Sequence, residues 1–216
     1  MSKGGKKRDF KRSLGRRPAS REPRKSILIV VEGHTEELYF KKYKNDFHLR
    51  LIDIEPHVEN PPCTDPISLV SAAKELMKRR KQDAGKSYAF VDYDEVWVVY
   101  DLEKVHDERR PQSNQAKQQT QKEKIQFAIS DPSFEFWYIL HFEKTTKSFN
   151  NADEVERHLK RHFPNYKKAT PPSQEIIDRT DIAIENAKWV REQLERSQST
   201  APITNVDQLV ISMRNM

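Results

Sequence analysis

The chain has 216 residues, 35% hydrophobic and 33% charged, with 39 Lys and Arg against 33 Asp and Glu. That length accommodates one α/β domain with elaborations, and no run approaches the roughly 18 apolar residues of a membrane span. A single cysteine, Cys63, excludes an intrachain disulfide framework and a Cys-rich zinc ribbon, while the basic N-terminal stretch has no apolar run beside it of the kind a secretory signal needs, so a cytoplasmic address is expected.

The charge is unevenly placed. Residues 1–26 hold eleven basic side chains against Asp9 and Glu22, which leaves 28 basic and 31 acidic groups for the rest. Residues 1–24 are therefore predicted to form a disordered basic arm, because almost nothing in them can bury apolar area. Lys6, Lys7, Arg8, Lys11, Arg12, Arg16 and Arg17 suit phosphate backbones, contributing affinity without sequence readout. A solubilising tail is the alternative reading.

The body opens at Ser26. Ile27 to Val31 is a continuous, mostly β-branched run, which predicts a strand buried on both faces, as in a parallel sheet. After Glu32-Gly33-His34-Thr35, Glu36 and Glu37 open a helix carrying Phe40, Tyr43 and Phe47 at spacings of three and four. Leu49 to Val58 is a second strand candidate, weakened by Pro56. Asp65 can cap the next helix with Pro66 at its first position, and Leu69, Val70, Ala73, Leu76 and Met77 form its apolar stripe.

Val96 to Tyr100 is the next strong strand, bracketed by Asp94, Glu95, Asp101 and Glu103. Residues 107–124 are nearly free of apolar side chains and read as a solvated helix or connection. Ile125 to Ile129 is a further interior strand, and Ser130-Asp131-Pro132 launches a short aromatic helix, Ser133 to Phe142. Its aromatic residues are predicted to pack in the core rather than to stack on bases. Asn151 and Ser173 can each cap a later helix, and a last short helix is expected around Thr204 to Val210. Strand and helix alternate, then helices follow, which is the order of an α/β core with additions.

The acidic residues cluster at the ends of the two strongest strands. Asp101 and Glu103 are two apart, so an extended backbone points both to one side. Parallel central strands would bring Glu32, Asp101 and Glu103 together at the carboxyl edge, where open α/β sheets place their sites. Three carboxylates so placed repel unless a cation neutralises them, and oxygen-only ligands suit Mg²⁺ or Mn²⁺. Acidic strand ends also occur without a metal, so the pattern leaves both readings open. With five glycines the chain has neither a P-loop nor a dinucleotide fingerprint, and it lacks H-E-x-x-H.

Three segments together carry a resemblance: Val30-Val31-Glu32-Gly33 through Tyr39-Phe40, Asp94 to Asp101, and Ser130-Asp131-Pro132-Ser133-Phe134-Glu135-Phe136-Trp137 through His141-Phe142-Glu143. The set resembles the RloB-like family of bacterial defence-associated proteins, from about residue 25 to 212, and its first two segments look like a Toprim fold. The resemblance implies a Toprim-like, mostly parallel sheet flanked by helices, with Glu32, Asp101 and Glu103 as Mg²⁺ (or Mn²⁺) ligands and Glu135 as a fourth catalytic candidate. Glu103 departs from the stricter Asp-x-Asp of that fold by one methylene. Glu135 also reads simply as a first-turn charge. His34 and His106, beside the acidic strand ends, could contact phosphate or shuttle a proton, and ordinary loop histidines are the alternative.

The expected organisation is an arm at 1–24, a Toprim-like α/β domain at 25–145 and a helical extension at 146–216. The expected function is metal-dependent cleavage of nucleic acid in anti-phage or restriction-linked defence, beside a neighbouring defence ATPase. A non-catalytic nucleic-acid- or protein-binding component is the rival. The sequence leaves the oligomeric state open.

Overall fold

Parallel strands buried on both faces need crossover helices, and the alternation of apolar runs with helical periods supplies them. A computed structural model describes residues 25–56, 65–84, 92–102, 109–199 and 202–216. The elements run β1 (Ile27–Val31), α1 (His34–Asp46), β2 (Ile52–Pro56), α2 (Pro66–Ala84), β3 (Glu95–Asp101), α3 (Arg109–Gln119) and β4 (Ile125–Asp131). After them come α4 (Glu135–Leu140), α5 (Ala152–Leu159), α6 (Gln174–Asp178), α7 (Thr180–Ser197), β5 (Ile203–Thr204) and α8 (Val206–Arg214).

The strands form one sheet in the order β2-β1-β3-β4-β5. The first four are parallel, in the register Val31↔Val99 between β1 and β3 and Asp101↔Ser130 between β3 and β4. This is the mostly parallel α/β sheet that the buried β-branched runs predict. The alternation of side chains divides the interior. Ile27, Ile29 and Val31 face α1 and the C-terminal helices, whereas Leu28 and Val30 face Leu69, Val70 and Ala73 of α2 and Ala116 of α3.

The chain leaves β1 through α1 on one face to reach β2. It then crosses back through α2 on the other face to reach β3. The strand order therefore reverses between β1 and β3, and the carboxyl ends at such a reversal are where open α/β sheets place their ligand crevice.

Of the helix and the connection that residues 107–124 allow, residues 109–119 form the helix, because Ser113, Ala116 and Thr120 supply a narrow buried stripe. Sequence and structure differ at the last two strands. The strand read as ending at Ile129 continues through Asp131. It continues because Ile203 and Thr204, the latter expected to begin a terminal helix, pair with it antiparallel as a short edge strand. Asn205 fixes that junction: its Oδ1 accepts from the Ile129 amide at 2.6 Å and its Nδ2 donates to the Phe127 carbonyl at 2.8 Å.

The aromatic helix packs inward as expected. Phe134, Trp137 and Tyr138 are buried against Tyr39 of α1, Phe136 is buried beside Phe149, and Phe142 is half-exposed. Tyr39 meets Phe134 and Trp137 edge-on, the arrangement favoured by ring quadrupoles. His141 is buried there too, with Nδ1 2.9 Å from the Trp137 carbonyl. Burial lowers its pKa to about 3, so the ring is neutral and the Nδ1–H donates.

Candidate functional site

The crevice at the β1/β3 reversal is lined with acid. Glu32 follows β1, and its Oε2 accepts from the Asp101 backbone amide at 3.1 Å. The Glu32 amide in turn donates to the Val99 carbonyl at 3.1 Å, continuing the ladder one residue past the strand. Asp101 ends β3, and the Phe134 backbone N–H donates to its carboxylate. Glu135 is the first residue of α4 and is buried. Its Oε2 accepts from Ser133 Oγ at 2.7 Å and its Oε1 accepts from Tyr166 at 2.8 Å.

A fourth carboxylate joins these three. Glu36 lies in the first turn of α1 and is buried, beside Glu32 and Glu135. Gly33 makes room for it, since a Cβ at position 33 would stand 2.9 Å from Glu36 Oε2. In the sequence Glu36 reads only as a helix-opening charge. The spacing from Glu32 to Glu36 across a glycine was the available signal.

The electrostatics follow from this crowding. Burial raises the Glu36 pKa to about 8, with Glu32 and Glu135 adding to the rise and Lys168 opposing it. Burial also raises Asp101 well above the usual carboxylate range, reinforced by Glu36, Glu32 and Glu135. Like charges gathered out of water hold protons or call for a cation. Lys168 is exposed near Glu36, on a segment that docks through the Ala169 amide donating to Thr35 Oγ1 at 3.1 Å. Neither Tyr166 nor Lys168 was legible from sequence, because both lie beyond residue 145 in a polar stretch with no motif.

The other expected residues fall as follows. His34 is exposed, its Nδ1 2.8 Å from Glu37 Oε2, and Lys41 donates to the other Glu37 oxygen at 2.5 Å. Glu103, His106 and the arm residues Lys6, Lys7, Arg8, Lys11, Arg12, Arg16 and Arg17 lie outside the described residues. Asp131 belongs to the opposite face of β4 from Asp101, where Arg110 of α3 pairs with its Oδ2.

The donor set of the crevice suits a hard, partly hydrated cation held by one or two carboxylates, which is how Mg²⁺ is usually bound. Among the described residues, three ligand atoms all within 4.8 Å of one another occur elsewhere, in Glu143, His158 and His162, a group that could hold a divalent metal ion. No helix among the described residues is long and apolar enough to cross a membrane.

No curated protein and no solved structure matches the chain. A family model for RloB-like proteins matches residues 27–213, the whole of the sheet and nearly all of the helices around it. The chain therefore belongs to the RloB-like family.

Proposed function

We propose that the fold is Toprim-like and that the acidic crevice is the centre of a metal-dependent phosphodiester hydrolase acting on nucleic acid in bacterial defence. The observation that carries this reading is the meeting of Glu32, Glu36, Asp101 and Glu135 at the sheet's reversal point, with two of the four pKa values raised by burial and by the others. Residues 25–145 would form the catalytic domain and 146–216 an extension packed on it.

Glu32 and Asp101 would hold Mg²⁺ or Mn²⁺, with Glu103 following two residues after the strand's last residue, Asp101. The chemistry such an ion supplies is polarisation of a phosphoryl oxygen and acidification of water. The chain's own residues do the rest. A carboxylate of the group would take a proton from the water as its oxygen bonds to phosphorus, the opposite P–O bond would break with its oxygen gaining a proton from solvent, and Lys168 would attract the phosphate towards an otherwise repelling acidic site. Glu135, held by Ser133 and Tyr166, orients rather than reacts. The basic arm at 1–24 would track the phosphate backbone, and a neighbouring defence ATPase would be the protein partner.

The test is a cleavage assay on a panel of single- and double-stranded DNA and RNA, with Mg²⁺ or Mn²⁺ and with chelator, for the parent and Glu32→Gln. Metal-dependent products from the parent alone support hydrolysis. Binding without turnover under every condition would instead favour a non-catalytic component.

A further inference from the structure

We propose that Glu143, His158 and His162 form a second, separate metal site that takes one borderline divalent transition-metal ion of the Zn²⁺ class and clamps the end of α4 to α5. This site stands independently of the hydrolase reading.

Two imidazoles aim the same nitrogen at one carboxylate. His158 Nε2 is 2.6 Å from Glu143 Oε1 and His162 Nε2 is 3.0 Å from Glu143 Oε2. His158 and His162 are four apart, so the last turn of α5 and the turn after it place both on one side. Their rings are already oriented. His158 meets Phe149 edge-on at 5.3 Å, and His162 lies parallel to Phe142 at 5.6 Å.

Ligands about 2.05 Å from a tetrahedral ion stand about 3.3 Å apart, so small side-chain adjustments admit one. The His162 and Glu143 side chains are 28% and 30% exposed, which leaves an entry path and room for a water as fourth ligand. Two neutral imidazoles with one carboxylate suit Zn²⁺ or Co²⁺ and are poor ligands for Mg²⁺.

The rival reading is a closed ion-pair network. The contact on the other side of His158 bears on it. Lys147 Nζ lies 3.4 Å from Nδ1, which places the ring proton on Nε2 in the metal-free state. A metal on Nε2 requires that single proton to shift to Nδ1, which then no longer accepts from Lys147 and sends that exposed side chain to solvent.

Position separates this site from the acidic crevice. Glu135 opens α4, whereas Glu143 lies three residues beyond Leu140 at the other end of that helix. Four residues after His162 comes Tyr166, whose hydroxyl donates to Glu135. An ion here would hold the segment that orients Glu135, a positioning role rather than a catalytic one.

The test is a Co²⁺ titration of the metal-free full chain, read by visible d–d absorption. The parent should bind one equivalent with a tetrahedral-type spectrum. Asp101→Asn should give the same spectrum, whereas His162→Gln and Glu143→Gln should weaken binding by more than about tenfold. Zn²⁺ should raise the melting temperature of the parent and of Asp101→Asn, and raise that of His162→Gln much less. If the variants prove unfolded by circular dichroism, the ¹⁵N imidazole resonances of the parent decide, since two histidines should change on adding Zn²⁺. A parent that gives no such spectrum, binding that survives both His162→Gln and Glu143→Gln in folded protein, loss of the spectrum in Asp101→Asn, or unchanged imidazole resonances would each overturn the proposal.

Discussion

The Asp101 amide donates to Glu32 Oε2 at 3.1 Å, so the residue after β1 and the last residue of β3 are tied together by a hydrogen bond although their carboxylates repel. A glutamine at position 32 keeps an oxygen acceptor of the same reach for that amide. Glu32→Gln should therefore alter stability by no more than about 1 kcal/mol. It removes one negative charge from the crevice, so Mn²⁺ affinity should fall clearly in a calorimetric titration while the thermal melt stays near that of the parent.

The metal-free protein should lose stability as pH rises. The folded Glu36 pKa is raised from 4.5 to about 8, and Asp101 is raised in the same direction. Between those values the folded state holds a proton that the unfolded chain has released, so the contribution is intact below about pH 4.5 and disappears through pH 8. Denaturant titrations in chelator from pH 5 to pH 8 should show this slope, and Glu36→Gln should flatten it. A slope unchanged by that substitution would remove Glu36 from the buried acidic group.

Gly33→Ala tests how the turn admits Glu36. The backbone at Gly33 is extended, with φ −136°, so alanine meets no backbone strain. Its Cβ would press on Glu36 Oε2, the far end of a flexible side chain. The cost in stability should be about 1 kcal/mol or less, as for alanine replacing glycine at a helix N-cap. Metal affinity should drop more than the melt implies, because the carboxylate has to turn away.

Tyr166→Phe removes the hydroxyl that donates to Glu135 Oε1 and leaves Ser133 as the remaining side-chain donor. Loss of a hydrogen bond to a buried carboxylate should cost about 1–3 kcal/mol. The midpoint of a urea melt would measure it, with the slope unchanged.

The sheet was legible because five apolar residues in a row at Ile27 to Val31 and at Val96 to Tyr100 have few other uses. Those runs also give the positions of Glu32 and Asp101, since a residue after a buried parallel strand must emerge at the carboxyl edge. The fifth strand was not legible: two residues, Ile203 and Thr204, carry no period, and only contact with β4 makes them extended. Glu36 was hidden among ordinary first-turn acids, because the fold and not the pattern turns it inward while its neighbour Glu37 pairs with Lys41. Glu143, His158 and His162 are joined by the packing of α5 on the end of α4, and the four-residue histidine spacing alone does not announce a carboxylate 15 residues away.

The central claim is that the crevice carboxylates support cation-dependent hydrolysis, and Asp101→Asn probes it with the least structural disturbance. Asparagine keeps nearly the same volume, still accepts the Phe134 amide and relieves repulsion from Glu36, Glu32 and Glu135, so folding should hold or improve. The decisive measurement is the rate of Mg²⁺- or Mn²⁺-dependent cleavage of a nucleic-acid substrate by the parent and by folded Asp101→Asn. The account predicts a steep loss of turnover in the variant; cleavage at the parent's rate would contradict it.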